Sequence, residues 1–318
     1  MTWLLNRLFE NQQPTPRFAF QGTVNWMRAL SILVDEGAFS NDSLREFYNL
    51  VQRRTLNEEA DTLAFACMLM AMHNVAALQK TTELDEPYSC VRSAIVAWYY
   101  ATYYASKSMI AAATGGDPQT HSKTGKIWQT EIAVGDLAVA PFNLNFEDIT
   151  PTNIENKIAE IRNGNPHDLS HMPTNHEEAF GAAISNLKGT AEYEKSRLEE
   201  EVRDNSEFKR QGFADFRTKA ARELRDARLS RAHVNFLTQA FRYRGKANYR
   251  DAIYLSYGAD NSAILTIFVK DLNNTACAFT KMAAHYVSRR CTQDNWRSFI
   301  DDIGAYAKFR LPYNLSEI

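Results

Sequence analysis

Apolar residues at helical spacing dominate this sequence and constrain its fold more than any other feature. Near the carboxyl end, seven residues three or four positions apart form one stripe: Leu265, Phe268, Leu272, Ala276, Phe279, Ala283 and Tyr286. A capping box of Thr55 and Glu58 begins a second such run. Pro87 suits the first turn of a third predicted helix, and Gly115 and Gly116 should end that helix. The sequence therefore predicts a mainly α-helical protein.

Weaker patterns complete the predicted outline. Residues 154–161 and a segment around Trp296 have helical spacing, whereas 17–24 and 137–146 are the stretches most similar to strands. Prolines and glycines concentrate between 130 and 205, which indicates a loop-rich insertion with short helices. The predicted segments are an amino-terminal extension over 1–54, a first helical half over 55–128, an insertion over 129–222, and a second half with carboxyl-terminal helices over 223–318.

The charge of the chain is nearly balanced in total but strongly uneven along its length. The net charge is −2, yet Lys209 to Arg250 contains twelve basic and three acidic residues, a local charge of +9. The remainder of the chain therefore carries −11. A basic segment on an acidic body is typical of proteins that bind a phosphate-bearing partner or the acidic face of another protein.

Two groups of basic residues in this segment are candidates for RNA binding. The first recurs every three residues: Arg222, Arg225, Arg228 and Arg231. The second, Arg242, Lys246 and Arg250, interleaves with tyrosines, which suits RNA because its phosphates need neutralising and its bases stack. Alternatively, the first group forms a solvated helix face neutralised by the Glu-rich stretch 192–207, and the tyrosines are half-buried helix contacts.

The segment RNGNPH combines Arg162 and His167, which is a second candidate for phosphate chemistry. Arginine can hold a scissile phosphate through two hydrogen bonds while histidine transfers protons. His167 and His171 also have the i, i+4 spacing of a helical metal pair, but Pro166 and Pro173 break that helix. We therefore predict no metal site.

The segment GDPQTHSKTGKIW, residues 116–128, contains a GK pair but does not match a phosphate-binding loop. That loop needs glycine where Thr120 stands and serine or threonine where Ile127 stands. His121, inside this segment, is expected to position the start of a helix. The sequence thus predicts no nucleotide cofactor.

The sequence also bears on location. Its four cysteines include no C-x-x-C pair, and the apolar stretch of its first residues, MTWLLNRLFENQ, is too short and too quickly charged for a signal peptide. The most apolar run, 94–113, contains Lys107 and several tyrosines, which favours a buried helix over a membrane span. We expect a cytoplasmic protein without a membrane partner.

Two segments in this order resemble a known family. AIVAWYYATYYASKSMIAAATGGDPQTHSKTGKIW (94–128) is similar to the paired helices and the K-T-H turn of HEPN domains, the higher-eukaryote and prokaryote nucleotide-binding helical domains. FRYRGKANYRD (241–251) resembles the later R-x-K-A-D-Y element of one branch of that superfamily. The resemblance covers about half of the chain and leaves the insertion unexplained.

The resemblance implies an up-down bundle of four or five helices that commonly forms a homodimer. Many HEPN proteins are metal-independent ribonucleases of toxin–antitoxin, abortive-infection and antiviral systems, in which Arg and His from two protomers promote attack of the ribose 2′-hydroxyl on the adjacent phosphate. By position, Arg244 and Tyr249 match the family's Arg and Tyr, whereas Asn248 stands where Asp is usual and no His follows. We rank Arg244 with Tyr249 above Arg162 with His167 as the catalytic group.

Two functions follow from these expectations. One is an RNA-directed effector that cleaves or binds RNA in a prokaryotic defence or toxin role. The other is a non-catalytic HEPN-like module that assembles with itself or with a protein partner from a defence operon. The second is motivated by the missing His and by aromatic residues at 98–104 that suit an interface core.

Overall fold

The computed structural model describes residues 16–35, 37–245 and 262–318, together with Trp3 and Arg7. Within these residues the chain is helical without a β-strand; Phe146 and Val234 form an isolated antiparallel bridge. The predicted mainly α-helical class is therefore confirmed. The predictions for Lys246, Tyr249 and Arg250 lie outside the described residues.

The helices follow one another along the whole described chain. They are α1 (Pro16–Val34), α2 (Asn41–Phe47), α3 (Glu58–Thr82), α4 (Val91–Thr114), α5 (His121–Trp128), α6 (Pro151–Arg162), α7 (His176–Asp204), α8 (Ser206–Arg210), α9 (Lys219–Leu229), α10 (Phe236–Gly245), α11 (Ser262–Arg290) and α12 (Gln293–Tyr306). Short 3₁₀ turns at Pro87–Cys90 and Leu315–Glu317 and one π-helical turn at Gln129–Ala133 complete the regular structure of the described residues.

The main core lies where α1, α3, α4 and α11 pack together. Its side chains include Trp26 of α1, Met72 of α3, Trp98 of α4 and Phe268 of α11, each almost completely buried. Every residue of the α11 stripe that was predicted from the sequence is buried in the structure. Helix α1 belongs to this core, so residues 16–34 are an integral part of the bundle.

Helix ends follow the local signals of the sequence, with one correction. Gly115 ends α4 in the left-handed conformation, at a φ of 73°, as the glycine pair predicted. The predicted cap at Thr55 is wrong: the side chain of Asn57 accepts from the Ala60 amide and begins α3 at Glu58. Asparagine two residues later provides an equally good capping acceptor, which leaves 51–57 as a connecting segment.

Both predicted strands are wrong. Residues 17–24 lie inside α1, because Pro16 occupies a first-turn position and the buried run from Val24 to Val34 propagates one continuous helix. Residues 137–146 form irregular structure whose contact with Val234 is limited to the bridge at Phe146. A single bridge leaves no partner strand for the remaining residues.

The segment 129–222 is more helical than predicted and has its own apolar clusters. Its longest element is α7, with 29 residues, capped by Asn175, which accepts from the Glu178 amide at 3.0 Å. Helix α7 packs on α6 and α9 through Ile154, Ile184, Leu187 and Leu229. Its small residues also lie against α1, so the segment is joined to the bundle along that helix.

Among the described helices, one, α3, is long and apolar enough to cross a membrane by length and composition alone. Half of its most apolar 18-residue stretch is buried inside the protein. Core helices of soluble proteins are often as long and as apolar as α3.

Candidate functional site

A cleft of about 830 Å³ lies between α5, α7 and α10. Part of its lining is apolar and comes from Leu198, Ala232 and Leu237. Its basic side chains come from four separate segments: Lys126, Arg197, Arg228, Arg231, Arg242 and Arg244. Glu194 is the one carboxylate among the described lining residues, so the cleft concentrates positive charge on a chain whose net charge is negative.

Intramolecular ion pairs neutralise only part of this charge. Arg197 and Arg228 both pair with Glu201, and the distance from Arg228 Nη2 to Glu201 Oε2 is 3.0 Å. Lys126 and Arg231 are exposed and have no acidic partner within the described part of the chain. The cleft therefore offers uncompensated cations to an incoming anion.

Asn235 holds the two main walls of the cleft together. Its side chain is fully buried and donates to the Gly125 carbonyl at 2.9 Å and to Gln129 Oε1 at 3.1 Å. Its amide oxygen accepts from the Thr238 amide at 3.1 Å and so caps the start of α10. Gln129 begins the π-helical turn after α5, a distortion that is frequent near functional sites. One residue thus fixes α10 relative to α5.

His121 stands at the start of α5 within this cleft, after the capping residue Thr120. Its Nδ1 lies 2.6 Å from the hydroxyl of Tyr99 on α4. Its Nε2 has no hydrogen-bond partner in the described structure. The guanidinium carbon of Arg244 lies 5.3 Å from the ring centre of the same Tyr99. His121, Tyr99 and Arg244 therefore form one contiguous group from three helices.

The electrostatics of this group keep the imidazole neutral near pH 7. Burial lowers the pKa of His121, and the positive charge of Arg244 lowers it further. Burial raises the pKa of Tyr99 despite the opposing effect of Arg244, so the hydroxyl keeps its proton. A neutral imidazole with one free nitrogen can accept a proton, and the neighbouring guanidinium can bind a phosphate oxygen.

Aromatic rings line the cleft beside these charges. The ring of Phe241 stacks on His121 with centroids 5.1 Å apart and an interplanar angle of 27°. The guanidinium of Arg242 lies 4.6 Å from the ring centre of Tyr193 and donates to Thr190 Oγ1 at 3.2 Å. Tyr243, in contrast, points into the core, where its hydroxyl donates to the Thr23 carbonyl. The residues of α10 that line the cleft and those that pack in the core thus lie on different faces of the helix.

The structure brings together some of the residues predicted to bind RNA. Arg228, Arg231 and Arg242 line the cleft with Arg244. Arg225 does not line it: its side chain is mostly buried, pairs with Asp226 at 2.8 Å and lies over the ring of Phe216. Arg222 also lies outside the cleft lining, and its side chain donates to the Arg217 carbonyl at 2.6 Å.

Arg162 and His167 are placed away from this group and do not line the cleft. Arg162 Nη1 donates to the carbonyls of Asn165 at 3.1 Å and His167 at 2.7 Å, and Nη2 donates to Ser185 Oγ at 2.5 Å. These bonds fold the RNGNPH loop onto α7. Within the described residues, no group of three or more His, Cys, Asp and Glu side chains is arranged to hold a metal ion.

Sequence reasoning missed His121, Tyr99 and Lys126 as members of the site. His121 was expected only to begin a helix, and Tyr99 was one of several aromatic residues in α4. Tyr99 and His121 are 22 residues apart, and no local pattern marks the contact between their helices. The tyrosines at 99, 100 and 103 contact one another and this site within the molecule.

Comparison with family models, curated proteins and solved structures finds no match to this chain.

Proposed function

We propose that this protein is a HEPN-like, RNA-directed effector that binds RNA in the cleft and cleaves it without a metal ion. Support comes from the resemblance of 94–128 and 241–251 to HEPN segments and from the chemistry of the cleft. The corresponding biological setting is prokaryotic antiviral defence or a toxin–antitoxin system, with a cytoplasmic homodimer as the working form.

The observation that carries this proposal is the convergence of basic residues with His121. Lys126, Arg231 and Arg244 come from three chain segments and line one cleft with this histidine. A solvated helix face would not require the convergence of separate segments. Cations around a partly buried proton acceptor are what phosphodiester chemistry needs, because the phosphate carries negative charge in the ground state and gains more in the transition state.

In the proposed reaction, His121 Nε2 takes the proton of a ribose 2′-hydroxyl whose oxygen forms a bond to the adjacent phosphorus. The bond from phosphorus to the 5′-oxygen of the next nucleotide breaks, and that oxygen receives the proton that His121 has taken up. The products are a 2′,3′-cyclic phosphate and a 5′-hydroxyl. Arg244 stabilises the phosphorane charge, and Tyr99 holds the imidazole by accepting from Nδ1–H. DNA lacks the nucleophile and would be spared.

The test is incubation of the purified protein with total RNA in EDTA, followed by end-group analysis of the fragments. We expect RNA cleavage to cyclic phosphate and 5′-hydroxyl ends and no cleavage of DNA. His121→Ala and Arg244→Ala should each reduce the rate by roughly 10²- to 10⁴-fold, since each removes a proton-transfer or charge-stabilising group.

Arg162→Ala with His167→Ala provides the matched control, because that pair lies outside the cleft. A rate that falls with the control pair but not with His121→Ala would assign the chemistry to the RNGNPH loop. RNA binding without cleavage by the wild-type protein would contradict the enzymatic part. Absence of both would leave the non-catalytic assembly module as the remaining function.

A further inference from the structure

Two aromatic side chains in the cleft remain partly exposed to solvent. Phe241 of α10 is 46% exposed and Tyr193 of α7 is 43% exposed, and both line the cleft. Each also touches a polar group of the site: Phe241 stacks on His121, and Tyr193 lies under the guanidinium of Arg242. These contacts orient the two rings in the absence of any ligand.

Exposed aromatic residues alone would carry no argument, because single apolar residues are common on protein surfaces. The chain provides an internal comparison in a groove of about 710 Å³ between α3 and α12. That groove also contains an exposed ring, Tyr306, which is 81% exposed, but its charged side chains are the acids Glu58, Asp61 and Asp302. Among the described residues, aromatic rings lie beside cations without an acidic partner in the cleft and not in this groove.

Rings beside cations match a particular ligand chemistry. A nucleotide has a flat base that stacks on an aromatic face and a phosphate that a cation neutralises, and the cleft offers both within one volume of about 830 Å³. Bases in a duplex are already stacked on their neighbours and do not expose a face. An unpaired nucleotide is therefore the form of RNA that can use both kinds of group.

We propose that Phe241 and Tyr193 form a base-stacking subsite that makes the cleft selective for single-stranded RNA. An unpaired base lies on one or both rings while Lys126 and Arg231 bind the flanking phosphates. This inference rests on the proposed function, since it names the form of RNA that the same cleft accepts. The two rings determine specificity and take no part in bond making.

The experiment measures binding by fluorescence anisotropy with a labelled 12-nucleotide oligoadenylate, the same oligonucleotide carrying three central abasic riboses, and a blunt 12-base-pair RNA duplex. The wild-type protein is the parent throughout, and every probe carries 2′-O-methyl riboses so that no 2′-hydroxyl can attack and the RNA stays intact. Phe241→Leu and Tyr193→Leu are introduced into this parent, and Tyr306→Leu serves as the control for loss of an exposed ring. Circular dichroism melting verifies the fold of each variant.

We expect each substitution in the cleft to weaken binding of the oligoadenylate by roughly 5- to 100-fold, as the loss of one stacked base implies. Tyr306→Leu should bind as its parent does. The abasic oligonucleotide and the duplex should bind weakly to the parent protein. Phe241→Leu should leave the affinity for these two probes unchanged. The abasic probe also tests the subsite without any change in the protein.

Two outcomes overturn the inference in distinguishable ways. Equal binding of the oligoadenylate, its abasic form and the duplex, unaltered by the two substitutions, would exclude the subsite while the proposed RNA-directed function stands. Absence of binding to every RNA would remove the proposed function and the subsite together.

Discussion

At the scale of single residues, the groups around His121 determine how readily its imidazole takes up a proton. The imidazole is partly buried, touches the Tyr99 hydroxyl and experiences the charge of Arg244. Burial and the positive charge both disfavour the imidazolium form. The cationic group proposed to bind phosphate therefore also keeps the proton acceptor unprotonated at neutral pH.

This coupling predicts the behaviour of Arg244→Gln. Loss of the guanidinium should raise the pKa of His121 towards 6.5, while burial should hold it below that value. The measurement is titration of the His121 ring signals by NMR. For the proposed ribonuclease reaction, the acid limb of the wild-type rate profile should lie below pH 6.5, because His121 must be neutral to accept a proton.

Arg222→Gln is the control for a general loss of positive charge, since Arg222 is exposed and does not line the cleft. It should leave the titration of His121 unchanged. An identical shift in both variants would show that overall charge, and not the proximity of Arg244, sets the pKa.

At the scale of elements, the RNGNPH loop is fixed to α7 by a close approach at one glycine. A Cβ atom at Gly181 would lie 2.5 Å from Asn165 Oδ1 and 2.7 Å from the His167 carbonyl oxygen. Arg162 closes the same contact by donating to Ser185, four residues further along α7. The short distance between loop and helix thus depends on the absence of a side chain.

Substitution at this contact should be costly, and α7 offers its own control. Gly181→Ala should destabilise the protein by roughly 1–3 kcal/mol because the loop backbone must move away. Gly189→Ala, where a Cβ meets nothing within 4 Å, should instead stabilise it by about 0.5–1 kcal/mol through helix propensity. Urea denaturation compares the two; equal effects would mean that the loop adapts freely.

Elements with strong local signals were predictable from the sequence. The stripe of α11 and the stop of α4 at Gly115 required only periodicity and the left-handed preference of glycine. The long helix α7 was not predictable in the same way. Its glycines and its Glu-rich end resemble a loop, and the packing of Ala182 and Ala183 against α1 that supports it is a tertiary contact.

The candidate site was predictable only in part for a related reason. The basic composition near Arg231, Arg242 and Arg244 identified one side of the cleft. The opposite side, with His121, is placed by the buried hydrogen bonds of Asn235, which join residues more than a hundred positions apart. The sequence shows that His121 and Arg244 can carry charge. It does not show that the buried side chain of Asn235 places their two helices side by side.

At the scale of the whole molecule, a buried ion pair joins distant parts of the bundle. Asp61 of α3 pairs with Arg54 and accepts from Thr292 Oγ1 at 3.0 Å and from Asn295 Nδ2 at 2.9 Å. Arg54 also donates to the Ala111 carbonyl near the end of α4. Burial would raise the pKa of Asp61, but these hydrogen bonds outweigh it and lower the pKa from 3.8 to about 2.

The ion pair predicts a defined loss of stability in acid. Because the folded pKa lies below the unfolded one, its contribution of about 2 kcal/mol is complete above pH 4 and disappears as the pH falls from 4 to 2. Asp61→Asn should remove that pH dependence and cost about 3–5 kcal/mol at pH 7, since Arg54 would be left buried without its partner.

Asp42→Asn, which breaks a largely exposed pair with Arg45, should change the free energy of unfolding by less than about 1 kcal/mol. Thermal melts between pH 2 and 7 measure all three proteins. A wild-type profile that is flat between pH 4 and 2 would contradict the assignment.

The proposed catalytic residues lie in one chain, which bears on the dimer that the HEPN resemblance implies. His121 and Arg244 both line the cleft of a single molecule. Mixing the His121→Ala and Arg244→Ala variants should therefore restore no ribonuclease activity, whatever mass light scattering reports. A site shared between two protomers would instead recover about a quarter of the wild-type activity, because half of the randomly mixed dimers would contain one intact site of two.

The dependence of α10 on Asn235 and α5 has a consequence for biosynthesis. Chains emerge from the ribosome amino terminus first, so His121 is made more than a hundred residues before Arg244, and the Asn235 contact forms only after residue 235 has emerged. A nascent chain that has not reached residue 244 would hold the His121 imidazole without the Arg244 guanidinium. The proposed ribonuclease site would therefore be incomplete at that stage of synthesis.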